Sequence, residues 1–151
     1  MEVLQKLQIF HIINAQGSEG ENFFERDKRF TYLRYGISEN MYTSPFDTPE
    51  QVVAFFEPAH SFLDKALGEG KNVMVHCLAG AHRAGTTGVS YMMKEGRMRY
   101  ADAVRVAKQQ RPAVDPISTL KDSLHKLEWA YEKLGHLNGG TDEAKSDLPP
   151  T

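Results

Sequence analysis

The chain has 151 residues, 40% apolar and 25% charged, enough for one domain and ordinary for a globular protein, which excludes collagen-like repeats and coiled coil. A formal charge of -2 provides no broad basic surface for nucleic acid or an anionic membrane, so any anion has to be caught locally. A single cysteine excludes an internal disulfide and points to a reducing compartment, the cytosol, for a monomer without a membrane partner.

The opening MEVLQKLQIFHIINA lacks the basic region and apolar core of a secretory leader, and no run reaches the roughly 18 apolar residues of a membrane span. Val3, Leu4 and Leu7 recur at helical spacing, after which Ile9 to Ala15 reads as a short buried strand ended by Gln16-Gly17-Ser18. Tyr32, Leu33, Tyr35 and Ile37 predict a second strand within Phe30 to Ile37, followed by a polar loop containing Ser44-Pro45-Phe46-Asp47-Thr48-Pro49. Thr48 or Asp47 caps the next helix, with Pro49 at its first position. Its apolar face runs from Val52 to Leu67, and Pro58 is expected to bend or split it.

After Gly68-Glu69-Gly70, the run Asn72 to His76 is a compact strand that leads straight into Cys77. Helices are expected at Ala84 to Lys94, Tyr100 to Gln110 and Ile117 to Leu134, separated by Gly96 and by Arg111-Pro112. The alternation of strands and helices indicates an α/β layered fold. The domain spans residues 1–135, and residues 136–151, rich in Gly, Asp, Ser and Pro, form a flexible tail.

The chemistry concentrates in His76-Cys77-Leu78-Ala79-Gly80-Ala81-His82-Arg83, a thiol at the end of a strand and an arginine six positions later where a helix begins. Such a loop aims several backbone N–H groups at one centre, the helix start adds partial positive charge, and the guanidinium grips two oxygens of a phosphate in a fork. That field also favours the thiolate, so Cys77 is a nucleophile and the amides of Leu78, Ala79, Gly80, Ala81, His82 and Arg83 form the oxygen cradle. His76 is a supporting residue. Neither a metal nor a cofactor is required.

His76-Cys77, Gly80 and Arg83 match the HC-x-x-G-x-x-R signature, and the chain resembles the cysteine-dependent protein tyrosine and dual-specificity phosphatases, in their atypical dual-specificity branch. Ile12 to Ala15, Tyr32 to Ile37, the Phe55-Phe56 helix and Arg111 to Pro116 extend the likeness over roughly residues 4 to 134. The resemblance implies a mainly parallel central sheet of about four to five strands flanked by helices, with the phosphatase P-loop between a central strand and a helix. It further implies hydrolysis of phosphotyrosine and phosphoserine or phosphothreonine in proteins through phosphocysteine. In the family a loop aspartate about thirty residues before the cysteine serves as general acid, and Asp47 stands at that distance, with Glu39 as the competing acid.

Counting forward from Gly36-Ile37 puts the family's aspartate near Asn40 or Met41, so the loop here is several residues longer, and two further departures accompany the match. Ala84 replaces the family's usual hydroxyl after the arginine, a pattern that also resembles plant glucan phosphatases, so phosphoglucan is the alternative substrate. The chain also begins inside what resembles the family's first helix, without the preceding edge strand. A phosphate-binding module that has lost turnover is the non-enzymatic alternative.

Overall fold

The computed structural model describes residues 1–137. Three strands, β1 (Ile9–Asn14), β2 (Thr31–Arg34) and β3 (Asn72–His76), form a sheet in the order β2-β1-β3, and both pairings are parallel. The helices are α1 (Glu2–Lys6), α2 (Ile37–Met41), α3 (Pro49–Gly68), α4 (Arg83–Glu95), α5 (Tyr100–Gln110) and α6 (Ser118–Lys133). The α/β class and parallel sheet follow the expectation, but the described sheet holds three strands rather than four to five. The reason lies in the chain order: α1 takes up the residues ahead of β1, and beyond β3 the described chain forms only helices and loops.

β1 is the central strand, and its Ile12, Ile13 and Asn14 are fully buried. Tyr32 and Leu33 of β2 pair with Ile12 and Ile13, while Met74 and Val75 of β3 flank them on the other side. The main core joins Ile13 to Phe56 and Leu63 of α3, Val89 and Met93 of α4, and Leu124 and Leu127 of α6. Apolar burial on this scale is the chief force holding the layers together.

Pro58 neither ends nor splits α3, which runs unbroken past it. Proline forfeits one helical hydrogen bond, but Val52, Phe55, Phe56, Ala59, Leu63 and Ala66 fix both halves of the helix on the core. Thr48, not Asp47, is the cap. Its hydroxyl accepts from the Gln51 N–H while the Gln51 side chain accepts from the Thr48 N–H, a reciprocal capping box.

The second strand is shorter than expected, and the polar stretch after it contains α2. At the other end, His136 donates its backbone N–H to Tyr131 and places its ring against that of Tyr131, and Leu137 packs on the core. The remainder of the expected tail, residues 138–151, lies outside the described residues. Among the described residues, no helix is long and apolar enough to cross a membrane.

Candidate active site

All three strands are parallel, so the segments leaving Asn14, Arg34 and His76 emerge at one end of the sheet, where open α/β sheets hold their ligands. Cys77 follows β3 directly and is half-buried, with its thiol free. Leu78 is 83% exposed, so the loop passes over the sheet end with its side chain outward. Gly80 adopts a φ of +67°, a left-handed conformation that glycine accepts without a Cβ penalty. Added bulk there would also meet the Arg111 guanidinium, whose Nη2 lies 3.0 Å from the site of a Cβ.

Arg83 opens α4, with His82 as its N-cap residue. The expected strand, loop and helix are therefore brought together, and the six-residue spacing turns the chain from sheet to helix.

The guanidinium of Arg83 is only 21% exposed and donates from Nη1 to Oε2 of Glu19 at 3.1 Å. Glu19 belongs to a single 3₁₀ turn, Gly17–Glu19, after β1. Asn14 anchors that segment from beneath, donating Nδ2 to the Gly20 carbonyl and accepting from Gln16 N–H. Arg34 donates to the carbonyls of Gly17 and Gly20. Sequence reasoning missed Glu19, because a carboxylate that meets its partner 64 positions along the chain leaves no local spacing to read.

Glu39 sits on α2 and accepts hydrogen bonds from the backbone and hydroxyl of Ser18. Those bonds hold its carboxyl below the ordinary carboxylate range, and the positive charges of Arg34 and Arg83 act in the same direction. Stabilising the carboxylate form opposes the protonated state that a general acid needs. Asp47 lies in the exposed segment just before the α3 cap. Its backbone N–H donates to Gln51, and its carboxylate makes no hydrogen bond to a described residue.

His76, at the end of β3, is pushed below the usual histidine range by burial, with hydrogen bonding to the Cys77 backbone pulling the other way. The imidazole is thereby biased toward its neutral form. Ala84 is buried, and the two hydroxyls that follow it on α4 are engaged with backbone, Thr86 donating to the His82 carbonyl and Thr87 to the Arg83 carbonyl.

His82 is turned toward the segment after α5. Its Nδ1 lies 2.6 Å from the Asp115 carbonyl, and the Asp115 N–H donates to Ala81 O at 3.0 Å. A cavity of about 430 Å³ alongside this region is lined by Met74, Val75, Val89, Met92 and Ala107, and its lining includes neither Cys77 nor Arg83. The hollow is mainly apolar and reaches the loop at His76 and Gly80 and the following segment at Arg111. Among the described residues, no group of three or more His, Cys, Asp or Glu side chains converges as a metal set.

The chain matches the family model described as the dual specificity phosphatase catalytic domain over residues 1–130. It is 33% identical over 156 aligned positions to human dual specificity protein phosphatase 9, covering 99% of this chain and 38% of that protein. To human dual specificity protein phosphatase 8 it is 30% identical, covering 95% of this chain and 22% of that one. The chain thus spans well under half the length of these two relatives.

Among solved structures, a mouse putative dual specificity phosphatase complexed with zinc tungstate superposes with a TM-score of 0.71 at 21% identity, covering 92% of this chain and 81% of that one. The human tyrosine phosphatase-like serine/threonine/tyrosine-interacting protein gives a TM-score of 0.66 at 27% identity, with 87% and 84% covered. Together with the loop of Cys77 and Arg83 at the carboxyl end of a parallel sheet, these matches establish that the chain belongs to the dual-specificity phosphatase catalytic-domain family.

Proposed function

We propose that this domain hydrolyses phosphate monoesters on proteins, with Cys77 as nucleophile and Arg83 as the phosphate clamp. The observation that carries this reading is the strand, loop and helix that puts a free, half-buried thiol and a sheltered guanidinium on the two ends of one seven-residue turn. The Cys77 thiolate attacks phosphorus, the P–O bond to the leaving group breaks, and the departing oxygen takes a proton from Asp47. Water then attacks phosphorus, giving its proton to Asp47 and releasing the thiolate and inorganic phosphate. Charge on the equatorial oxygens is met by the loop amides and the fork of Arg83.

When phosphate arrives, the Arg83 guanidinium also satisfies its oxygens, and the exposed carboxylate of Glu19 remains a second partner on its flank. Phosphoprotein is preferred over phosphoglucan because the curated relatives are named as protein phosphatases. Hydrolysis of p-nitrophenyl phosphate without added metal, by the wild type and by Cys77→Ser, tests the reading. Equal rates for the two proteins would overturn it.

A further inference from the structure

We propose that His82 is a positioning residue of the phosphate cradle, fastening the last turn of the loop to the backbone of Asp115. The inference rests on the phosphate-binding reading of the loop. A peptide carbonyl only accepts, so the 2.6 Å contact requires the proton on Nδ1 of His82, which donates to Asp115 O. In the opposite direction the Asp115 N–H donates to Ala81 O at 3.0 Å. The two bonds form a reciprocal latch across the peptide that joins Ala81 to His82, next to the amide of Arg83.

The far side of the latch is firm. Val114 and Pro116, which flank Asp115, are both buried, and Val114 packs against Gly85 of α4 with Cγ1 3.2 Å from where a Cβ would stand. Arg111 of the same segment lies over Gly80. The loop therefore meets residues 111–115 at Gly80, Ala81 and His82, while Leu78 and Ala79 stay exposed. A cradle whose amides have to converge on one phosphate is sensitive to displacements of about 1 Å, and the latch is the element that limits them at its helix end.

The test uses side-chain geometry. The amide nitrogen of Asn stands one bond from Cγ, like Nδ1 of histidine, whereas the amide of Gln stands one bond further out, like Nε2. We would measure kcat and KM for p-nitrophenyl phosphate, and the affinity for inorganic phosphate from its protection of Cys77 against iodoacetamide, in wild type, His82→Asn, His82→Gln and His82→Ala.

Expected are His82→Asn within about threefold of wild type, and His82→Gln and His82→Ala lower in kcat/KM by roughly 10- to 100-fold, with phosphate protection weakened in the same order. Thermal unfolding of the four proteins separates this pattern from general destabilisation. Equal activity in His82→Ala and wild type, or rescue by Gln as complete as by Asn, would overturn the proposal, as would equal losses in all three variants. A wild type that binds phosphate but does not turn over the ester would sink the hydrolase reading while the phosphate affinities still judge the latch. A wild type that does neither would overturn both.

Discussion

The loop from Cys77 to Arg83 and the segment from Ile37 to Asp47 follow the two outer strands of the same sheet, β3 and β2, yet they are held in opposite ways. The first is tied at every step toward its end: Gly80 lies under Arg111, Ala81 and His82 are bonded to Asp115, and Arg83 is bonded to Glu19. The second has one short helix whose exit residue, Tyr42, is 86% exposed, and an aspartate whose carboxylate has no partner among the described residues. Binding charge demands groups already fixed in place, since reorganising dipoles at the moment of reaction costs the rate enhancement they provide. Giving and taking a proton demands a group that reaches solvent and returns.

The sharpest way to break this comparison is to remove the fixed nucleophile. Cys77→Ser should reduce p-nitrophenyl phosphate turnover by about 10⁴-fold or more, because the cradle alone retains little catalysis without its attacking group. Steady-state rates with enough enzyme to detect that residue of activity are the check. On the other side, Asp47→Asn should cost roughly 10² to 10⁴ in kcat, and more with esters of poor leaving groups. Glu39→Gln should cost less than about tenfold, since Glu39 is already occupied by Ser18. A larger loss in Glu39→Gln than in Asp47→Asn would reverse the assignment.

These outcomes bear on how much of the molecule was legible in its residues. The Cys77 to Arg83 loop was, because a strand, a glycine-punctuated turn and a helix start follow one another in one contiguous stretch and local rules govern each. The three strands seen were read at nearly their true positions for the same reason, while the larger sheet was an import from the resemblance. Glu19 and Asp115 were not legible in their roles: they reach Arg83 and His82 over 64 and 33 positions, and only the folded sheet brings them there. α2 was hidden because Ser38, Glu39 and Asn40 lack the apolar repeat that marks a helix, and Ile37 is its single buried residue.

A smaller effect lies away from both loops, on the α3–α4 contact. Ser90 donates its hydroxyl proton to the Thr87 carbonyl, so it receives the Nε2–H of His60, and Nδ1 of His60 is buried without a hydrogen-bond partner among the described residues. Burial, with some help from Lys94 and against Asp64, lowers this histidine to about 4. The folded state thus disfavours the charged ring relative to an unfolded chain at about 6.5. Its contribution is fully present above about pH 6.5, is lost as pH falls toward 4, and amounts to roughly 3 kcal/mol. Urea titrations at pH 7.5 and 4.5 should show His60→Leu losing less stability on acidification than the wild type, by about that amount. Equal pH slopes would show that His60 is not the group being protonated.

The smallest expected effect connects the two loops again. Removing the Thr48 cap leaves the first N–H groups of α3 short of a partner, so Thr48→Ala should lower stability by about 1 kcal/mol, read from the urea midpoint at constant slope. Thr48 also adjoins Asp47, and Gln51 accepts from the backbone of both residues. Phe46 also packs its ring on Phe55 of α3, so the capping box and this aromatic contact are the firm points on either side of an otherwise exposed carboxylate. If Asp47 is the proton donor, Thr48→Ala and Gln51→Ala should each lower kcat by about two- to tenfold while phosphate protection of Cys77 stays at the wild-type value, because they loosen the acid and leave the cradle alone. A matching loss of phosphate affinity would show that the two loops are coupled, and the contrast between a fixed cradle and a loosely held acid would then fail.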